Sequence, residues 1–414
     1  MILASWVTAF HRGLSFRARL KAAGDSGKGS MSVAKKTWIV ILAFSCLILS
    51  ACKNSHPTKA SDDGGIGQVN DFLVDSLATP ETAALFKNLR EIAKTGVLFG
   101  HQDDLAYGVG WKAVDGRSDV KEVCGDYPAV YGWDLGDIGQ EANLDGVDFG
   151  RMKAWIREAF MRGGINTVSM HLDNPYTGGN AWDNASAVHA ILPGGTHHSV
   201  YLRTLDRIAA FFKELQAPDG RLVPVVFRPY HEHNQSWSWW GRNSCTVEEY
   251  NALWRMTVRH FRDTHSIHHL LYAISPQDIL SESEYLERYP GDDWVDILGM
   301  DYYKLWTKSN VPDLGRALGI IVRLAEGRGK AAALTETGME NVAAADWWTA
   351  YLLAGIKNSA DSQRIAWALV WRNASSDHHF GPYPGHASAP DFVAFYRDPF
   401  TLFESDLPDM YQAP

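Results

Sequence analysis

Residues 223–241 read VPVVFRPYHEHNQSWSWWG, a stretch that joins an apolar run to a cluster of polar and aromatic side chains. The apolar run, 223–227, does not strictly alternate apolar and polar residues, which is typical of a strand covered on both faces. Arginine, histidine, glutamate and tryptophan residues follow it immediately. The stretch therefore predicts a buried strand whose carboxyl end opens into a loop rich in reactive groups.

The same unit recurs along the chain. Seven further apolar runs lie at 97–99, 129–131, 166–170, 270–274, 297–300, 331–334 and 365–371. Amphipathic stretches that predict helices separate several of them, at 149–161, 199–215, 247–263, 313–326 and 346–358. This alternation predicts the α/β class and a single (β/α)8 barrel. An open doubly wound sheet is the alternative, but no Gly-x-Gly-x-x-Gly follows any run, which argues against dinucleotide binding.

The composition limits the kinds of molecule that the protein is expected to bind. The chain has 414 residues, 46% of them hydrophobic, so it can bury a large core. Its 39 basic and 48 acidic side chains give a net charge of −9. A nucleic-acid partner is not expected, because no basic surplus is available to neutralise phosphates.

The N-terminal region has the pattern of a secretory signal. Lys35 and Lys36 precede the apolar stretch 38–49, and Leu-Ser-Ala then leads into Cys52. This order resembles a bacterial lipobox, which implies that Cys52 is lipid-modified and anchors the protein in the cell envelope, at the outer membrane, the cell surface or within the periplasm. An ordinary signal peptide or an N-terminal membrane anchor is the alternative.

These observations predict a division of the chain into four segments. They are a possible upstream extension at 1–30, a lipoprotein signal peptide at 31–51, a flexible tether at 52–70 and the catalytic barrel at 71–414. Cys124 and Cys245 are the cysteines of the barrel, and the sequence leaves open whether they pair. No CxxC pair or Cys/His spacing typical of zinc is evident, so neither a metal nor a cofactor is expected.

Polar residues gather where the predicted strands end, which is the catalytic face of such barrels. They occupy 100–104, 132–134, 171–175, 228–234, 301–303, 335–338 and 371–373. Two glutamates, Glu232 and Glu336, follow the fourth and seventh strands. One such glutamate would more often be a salt-bridge partner, but two facing each other across a barrel mouth suggest chemistry.

Retaining cleavage of a glycosidic bond requires two carboxyl groups about 5–5.5 Å apart, one protonated and one ionised. Glu232 lies between two histidines and before a tryptophan-rich loop, surroundings that favour a raised pKa. Glu336 can stay ionised if Arg228 or Arg372 and a tyrosine hydroxyl point towards it. The sequence thus predicts Glu232 as acid/base and Glu336 as nucleophile.

At these residues the sequence resembles glycoside hydrolase family 26, the β-mannanases of the clan A barrels. The stretches that carry the resemblance are 98–103 (LFGHQD), 171–175 (HLDNP), 227–241 (FRPYHEHNQSWSWWG), 334–338 (LTETG) and 371–372 (WR). They extend from the first strand to the eighth. The resemblance implies the same two glutamates in the same roles. Asn234-Gln235 departs from the Thr-Gly or Asn-Gly of many members, which affects only the loop before Trp237.

The resemblance also implies roles for the surrounding residues. His231 would position the acid/base, His171, Trp237, Trp371 and Arg372 would line the glycone side, and Tyr303 rather than Tyr302 would bond the nucleophile. The full set of expected substrate-binding residues is His101, Gln102, Asp134, His171, Trp182, His231, Trp237, Tyr303, Trp371 and Arg372. The loops 104–126 and 178–198 would close one end of the cleft, as in members that release mannobiose from chain ends.

The chain has 16 tryptophans, more than a core usually requires. Trp155, Trp254, Trp347 and Trp348 lie in helical patterns and are expected to pack internally. Seven others are expected in loops at the barrel mouth, where sugar rings stack on indole faces: Trp133, Trp182, Trp237, Trp239, Trp240, Trp306 and Trp371.

The sequence therefore predicts a monomeric, lipid-anchored, retaining β-mannanase that acts on mannan, galactomannan or glucomannan. Mannan is neutral, so the acidic net charge does not oppose its binding. Another β-glycanase of the same fold, a β-glucanase or xylanase, is one alternative. A non-catalytic glycan-binding lipoprotein is another, although capture would require neither glutamate.

Overall fold

A computed structural model describes residues 72–414 of the chain. The predictions for the extension, the signal peptide, Cys52 and the tether lie outside these residues. Among the described residues, no helix is both long and apolar enough to cross a bilayer.

The strands form a closed parallel barrel. In chain order they are β1 (Val97–Gln102), β2 (Tyr107–Gly108), β3 (Trp111–Lys112), β4 (Val130–Asp134), β5 (Ile165–Ser169), β6 (Val225–Arg228), β7 (Leu270–Ile274), β8 (Ile297–Tyr302), β9 (Ala331–Thr337), β10 (Trp367–Val370) and β11 (Thr401–Leu402). Strands β1 and β4 to β10 pair in parallel, and β10 pairs back with β1, which closes the barrel. The eight predicted runs are these eight strands, so the predicted (β/α)8 barrel is confirmed.

Helices surround the barrel. They are α1 (Pro80–Ile92), α2 (Asp119–Cys124), α3 (Phe149–Met161), α4 (Val188–Ile191), α5 (His198–Lys213), α6 (Val247–Arg259), α7 (Glu282–Leu286), α8 (Val311–Glu326), α9 (Ala354–Ile356) and α10 (Ala389–Tyr396). Local sequence sets several of their ends. Thr246 begins α6 with a capping box: the Thr246 hydroxyl accepts from the Glu249 backbone N–H, and the Glu249 carboxylate accepts from the Thr246 backbone N–H.

Two helical predictions differ from the structure. The helix expected at 346–358 is mainly a π-helix, Trp348–Leu353, followed by the short α9. Trp347 and Trp348 are adjacent yet both fully buried, with ring centroids 4.8 Å apart, and the wider π turn accommodates them. The helix expected at 247–263 is α6 followed by a second π-helix, His260–Thr264.

Strand β9 carries a bulge at the carboxyl end of the barrel. Along β8 the partners pass from Met300↔Leu334 directly to Asp301↔Glu336, which leaves Thr335 as an extra residue on β9. Successive side chains of a regular strand point to opposite faces. The bulge instead lets the side chains of Thr335 and Glu336 both make hydrogen bonds inside the barrel, to Asp301 and to Arg228.

Candidate active site

Glu232 lies on the loop after β6 in a constrained backbone conformation. Its φ is 53° and that of Tyr230 is 50°, values that non-glycine residues rarely adopt. The Glu232 backbone N–H donates to the carbonyl of Ser275 after β7 over 2.7 Å. Left-handed backbone at non-glycine residues costs free energy and is concentrated at functional sites.

The Glu232 carboxyl group is almost completely buried and has one defined donor. The donor is the Trp237 indole, whose Nε1 donates to Glu232 Oε2 over 2.6 Å. Burial raises the pKa of Glu232 well above its usual range, and the nearby charges of Glu336 and Asp301 raise it further. The group is therefore suited to hold a proton at neutral pH and to donate it.

Glu336 differs from Glu232 in its hydrogen bonds, because each of its two carboxylate oxygens accepts a strong hydrogen bond. Arg228 Nη2 donates to Oε2 over 2.5 Å, and the Tyr303 hydroxyl donates to Oε1 over 2.7 Å. Both donors favour the ionised carboxylate. Of the arginines considered from the sequence, Arg228 is the one in contact, whereas Arg372 pairs with Asp145 at 2.7 Å.

Arg228 also bonds a second buried acid. Its Nη1 donates to Asp301 Oδ2 over 2.7 Å, and that carboxylate also accepts from Ser275 and Thr335. Burial raises the pKa of Asp301, and the charge of Glu336 adds to the increase against the opposing effect of Arg228. One guanidinium thus links two carboxylates beneath the barrel mouth.

A histidine pair lies beside the two glutamates. His171 Nδ1 bonds Asp134 Oδ2 at 2.8 Å, and the His171 ring is 4.5 Å from the His231 ring, centroid to centroid. Burial works against a charged His171, but Asp134 outweighs it and the pKa of His171 is raised. Burial, and then the Arg228 charge, lower the pKa of His231 well below its usual value, so this imidazole is neutral.

Three expected substrate-binding residues lie deeper than the sequence suggested. Asp134 is fully buried, and its oxygens accept from Ser169, from the backbone N–H of Gly136 and twice from His171, so it positions His171 rather than facing the cleft. His101 and Gln102 are also buried, and His101 Nδ1 bonds Asp104 at 2.8 Å.

Aromatic side chains form a wall around His171. Its ring lies 5.5 Å from Trp182, 5.7 Å from Trp237 and 6.0 Å from Trp371, measured between centroids. Trp182 is 47% exposed, which leaves its indole available for a ligand. The loops and strand ends that were predicted separately therefore come together as one aromatic surface.

The expectation that seven tryptophans face the barrel mouth is wrong for three of them. Trp133, Trp239 and Trp240 are fully buried. Trp133 stacks on Trp155, whereas Trp239 and Trp240 donate their indole N–H to the carbonyls of Leu172 and His231. Trp239 and Trp240 thus support the loops after β5 and β6 from inside the protein, whereas Trp133 belongs to the packing of β4 against α3. The four tryptophans that were expected to pack internally are buried as predicted.

A further polar cluster surrounds Arg372 and was missed by the sequence analysis. Tyr107 on the β2–β3 hairpin donates to Asp103 over 2.7 Å and lies 3.4 Å from Arg372 Nη1, which also pairs with Asp145. Burial, and then the charge of Asp145, raise the pKa of Asp103 well above its usual range. Asp103 stands in a strand-end motif that could have indicated it, but no sequence pattern marks Asp145. Through Tyr107, the 104–126 insertion borders the Arg372 side of the site.

The two cysteines of the barrel do not pair. Cys124 is half-buried and Cys245 is buried, and both are free thiols.

Comparisons with known proteins find relatives of this chain. The family model described as Glycosyl hydrolase family 26 matches residues 74–400. A mannan endo-1,4-beta-mannosidase of Bifidobacterium adolescentis is 38% identical over 297 residues, which are 68% of this chain and 29% of that protein. A mannan endo-1,4-beta-mannosidase of Bacillus subtilis is 30% identical over 44% of this chain and 52% of its own length. The chain thus spans less than two thirds of either relative.

Solved structures cover more of the chain. A GH26 beta-mannanase from Bacteroides ovatus superposes with a TM-score of 0.78 and 44% identity, covering 81% of this chain and 98% of its own. A modular endo-beta-1,4-mannanase from Cellulomonas fimi has a TM-score of 0.78 and 38% identity, covering 82% and 79%.

Proposed function

This chain belongs to glycosyl hydrolase family 26, and on that premise we propose that it hydrolyses β-1,4-mannosidic linkages in mannan, galactomannan or glucomannan with retention of configuration. The observation that carries the proposal is a pair of glutamates at one barrel mouth with opposite surroundings. Glu232 is buried with a raised pKa, whereas Glu336 is held by Arg228 and Tyr303. The relatives named as mannanases support the choice of substrate.

In the first step, a Glu336 oxygen attacks the anomeric carbon and forms a glycosyl ester. The bond between the anomeric carbon and the glycosidic oxygen breaks as Glu232 gives its proton to that glycosidic oxygen, and the leaving sugar departs as an alcohol. In the second step, Glu232, now ionised, takes a proton from water. The resulting hydroxide attacks the anomeric carbon, and the bond to Glu336 breaks. Tyr303 and Arg228 stabilise the carboxylate before it attacks and after it leaves.

The surrounding residues fit a neutral sugar chain. Trp182, Trp237 and Trp371 offer indole faces on which the apolar C–H surface of a sugar ring can stack, while His171 and Arg372 offer donors to hydroxyl groups. Asp134 and His231 would act by positioning His171 and Glu232. His101 and Gln102, being buried, would support the floor of the site.

The decisive experiment is a polysaccharide panel with product sizing. Mannan, galactomannan and glucomannan should be cleaved, whereas β-glucan and xylan should not. Glu336→Ala should abolish cleavage, with Glu282→Ala on the exposed start of α7 as a matched control. Activity on β-glucan or xylan without activity on mannan would identify the alternative β-glycanase.

Product sizing also tests the mode of cleavage. The hairpin that contacts Arg372 borders one side of the site, which supports release of mannobiose from chain ends. Mannobiose as the first product supports this mode, whereas a ladder of long oligosaccharides indicates internal cleavage. Binding of mannan without any turnover by the wild-type protein would instead favour a capture protein.

We further propose that the protein is a monomer that Cys52 anchors through lipid in the bacterial cell envelope. The support is the order of basic, apolar and Leu-Ser-Ala-Cys residues in 31–52. A bacterium expressing the full chain and fed labelled palmitate should incorporate label, and Cys52→Ala should remove it and release the protein from the membrane fraction. Unlabelled, soluble wild-type protein would contradict the anchor.

A further inference from the structure

A cluster of metal-ligating side chains lies away from the active site, on the outer helices of the barrel. Asp206 on α5 faces two histidines that follow α6. His260 Nε2 is 2.8 Å and His265 Nε2 is 2.9 Å from the same oxygen, Asp206 Oδ1. The three candidate donor atoms all lie within 4.8 Å of one another.

The backbone brings the two histidines together through a π turn. Residues five apart in an α-helix lie about 140° apart around the axis, because each residue advances by about 100°. The π-helix His260–Thr264 widens the turn, and the His265 N–H bonds the His260 carbonyl over 3.0 Å. The rings are therefore 4.7 Å apart, centroid to centroid. Such π turns are rare and occur frequently at functional sites.

We propose that Asp206, His260 and His265 bind one zinc ion. Two imidazole nitrogens and one carboxylate oxygen form a donor set that suits Zn²⁺ rather than Ca²⁺ or Mg²⁺, which take mainly oxygen ligands. Ligand atoms around tetrahedral zinc lie roughly 3.3 Å apart, given bonds of about 2.0–2.1 Å. Small side-chain rotations open the present contacts to that spacing, and water completes the coordination.

The burial of the three residues agrees with a site that is preformed yet accessible. The side chains of His260 and His265 are 9% and 23% exposed, so the surrounding protein holds these two ligands in place. The Asp206 side chain is 49% exposed, so a zinc ion can reach the site from solvent. The bound ion would link α5 to the segment that follows α6. The site is hard to recognise in the sequence because its ligands come from two separate segments, although the His260-x4-His265 spacing falls within the range of known zinc sites.

One neighbouring charged group should weaken zinc binding. Its removal therefore gives a prediction opposite to that for the removal of a ligand. The Lys213 ammonium lies 3.2 Å from His265 Nδ1. It is exposed at the end of α5 and can turn to solvent, but its charge repels a cation. Removing that charge should therefore strengthen zinc binding, whereas removing a ligand should weaken it.

The test is equilibrium dialysis of the full chain against zinc chloride at about pH 7.5. A chelator first removes any metal from the protein, and mass spectrometry then counts the bound zinc. Asp206→Asn and His265→Ala should each weaken binding at this site by at least about tenfold, and Lys213→Ala should leave it as tight or tighter. His268→Ala is the matched control, because His268 pairs with Asp75 at 2.7 Å and has a similar exposure. Saturating zinc should raise the melting temperature of the wild type and of His268→Ala, but not of the ligand variants.

Wild-type protein that binds no zinc would overturn the proposal. So would zinc binding and thermal stabilisation that persist unchanged in both ligand variants, or that are lost in Lys213→Ala.

Discussion

At the scale of single residues, Trp237 would connect substrate binding to proton transfer in the proposed reaction. Its indole N–H donates to Glu232 Oε2 while its ring packs near His171. Since this hydrogen bond favours the ionised carboxylate, it holds the pKa of Glu232 lower than burial alone would set it. In the proposed reaction Trp237 would therefore tune the pKa of the acid as well as contact the sugar.

Trp237→Phe should move the alkaline limb of the pH–rate profile to higher pH. Loss of the donor raises the pKa of Glu232 further, and the acid must be protonated to act, so activity persists to higher pH. The measurement is kcat/KM against pH on a soluble manno-oligosaccharide. In Trp306→Phe, which changes an exposed indole, the limbs should stay in place whatever happens to KM. An unmoved alkaline limb in Trp237→Phe would show that Glu232 is not the titrating acid.

Tyr303 and Tyr302 form an internal comparison for the proposed nucleophile. Tyr303→Phe removes the donor that holds the Glu336 carboxylate in position to attack, and a hydrogen bond to a charged group is worth about 1.5–3 kcal/mol, so kcat should fall roughly 10- to 150-fold. Tyr302→Phe, on the adjacent residue, should leave kcat unchanged. Steady-state kinetics on mannan distinguishes the two. Equal losses in both variants would mean that the hydroxyl bond to Glu336 has no special role.

At the scale of elements, the bulge in β9 determines where Glu336 points. It depends on close packing against Gly299 of β8, where an added Cβ would lie 2.5 Å from Thr335 Cγ2 and 2.8 Å from its Oγ1. The backbone carbonyl oxygen of Ile274 would lie 3.0 Å from the same added Cβ. A side chain at 299 could be accommodated only by moving the bulge.

Gly299→Ala should therefore lower both stability and activity. Overpacking typically costs about 1–3 kcal/mol, and displacement of Thr335 should reduce kcat by about tenfold or more through Glu336. Gly319→Ala on α8 is the control, because its nearest neighbour, at 3.3 Å, is the flexible Arg323 guanidinium. Thermal melting and kcat measure the two effects. A fully active Gly299→Ala would separate the bulge from catalysis.

The difference between the bulge and the strands also shows what sequence patterns can predict. The eight barrel strands were predictable because most of them contain a short apolar run, such as Leu270–Ile274, and the runs recur with helical patterns between several of them. The extra residue at Thr335 was not, because a one-residue insertion leaves the apolar composition of β9 unchanged. Glu232 and Glu336 were identified from their positions at strand ends, whereas the choice of Tyr303 over Tyr302 came from the family resemblance. Asp145 was not, because only tertiary packing brings it to Arg372.

At the scale of the whole molecule, the barrel is held together by packing without a disulfide among residues 72–414. Burial raises the pKa of the Cys124 thiol to about 12, and it also raises that of Cys245. Both thiols are therefore protonated and weakly nucleophilic at neutral pH. Neither cysteine closes a loop in the fold.

A reducing agent should leave the melting temperature unchanged. A double variant, Cys124→Ser with Cys245→Ser, should be equally insensitive to reduction, even if the loss of the buried Cys245 sulfur lowers its melting temperature. Calorimetry with and without reductant makes the comparison. A lower melting temperature on reduction of the wild type alone would show that the two thiols pair in solution.

The guanidinium of Arg228, shared between Asp301 and Glu336, has a consequence for the middle of the proposed reaction. When Glu336 becomes an ester, its negative charge disappears, and a guanidinium paired with it alone would be left as an unbalanced buried cation. Asp301, 2.7 Å away, is left to balance Arg228 at that stage, because the loss of the Glu336 charge removes one of the causes that raise the pKa of Asp301. The site can therefore gain and lose a covalently attached sugar without taking up a compensating ion, and its electrostatic framework stays in place for the next turnover.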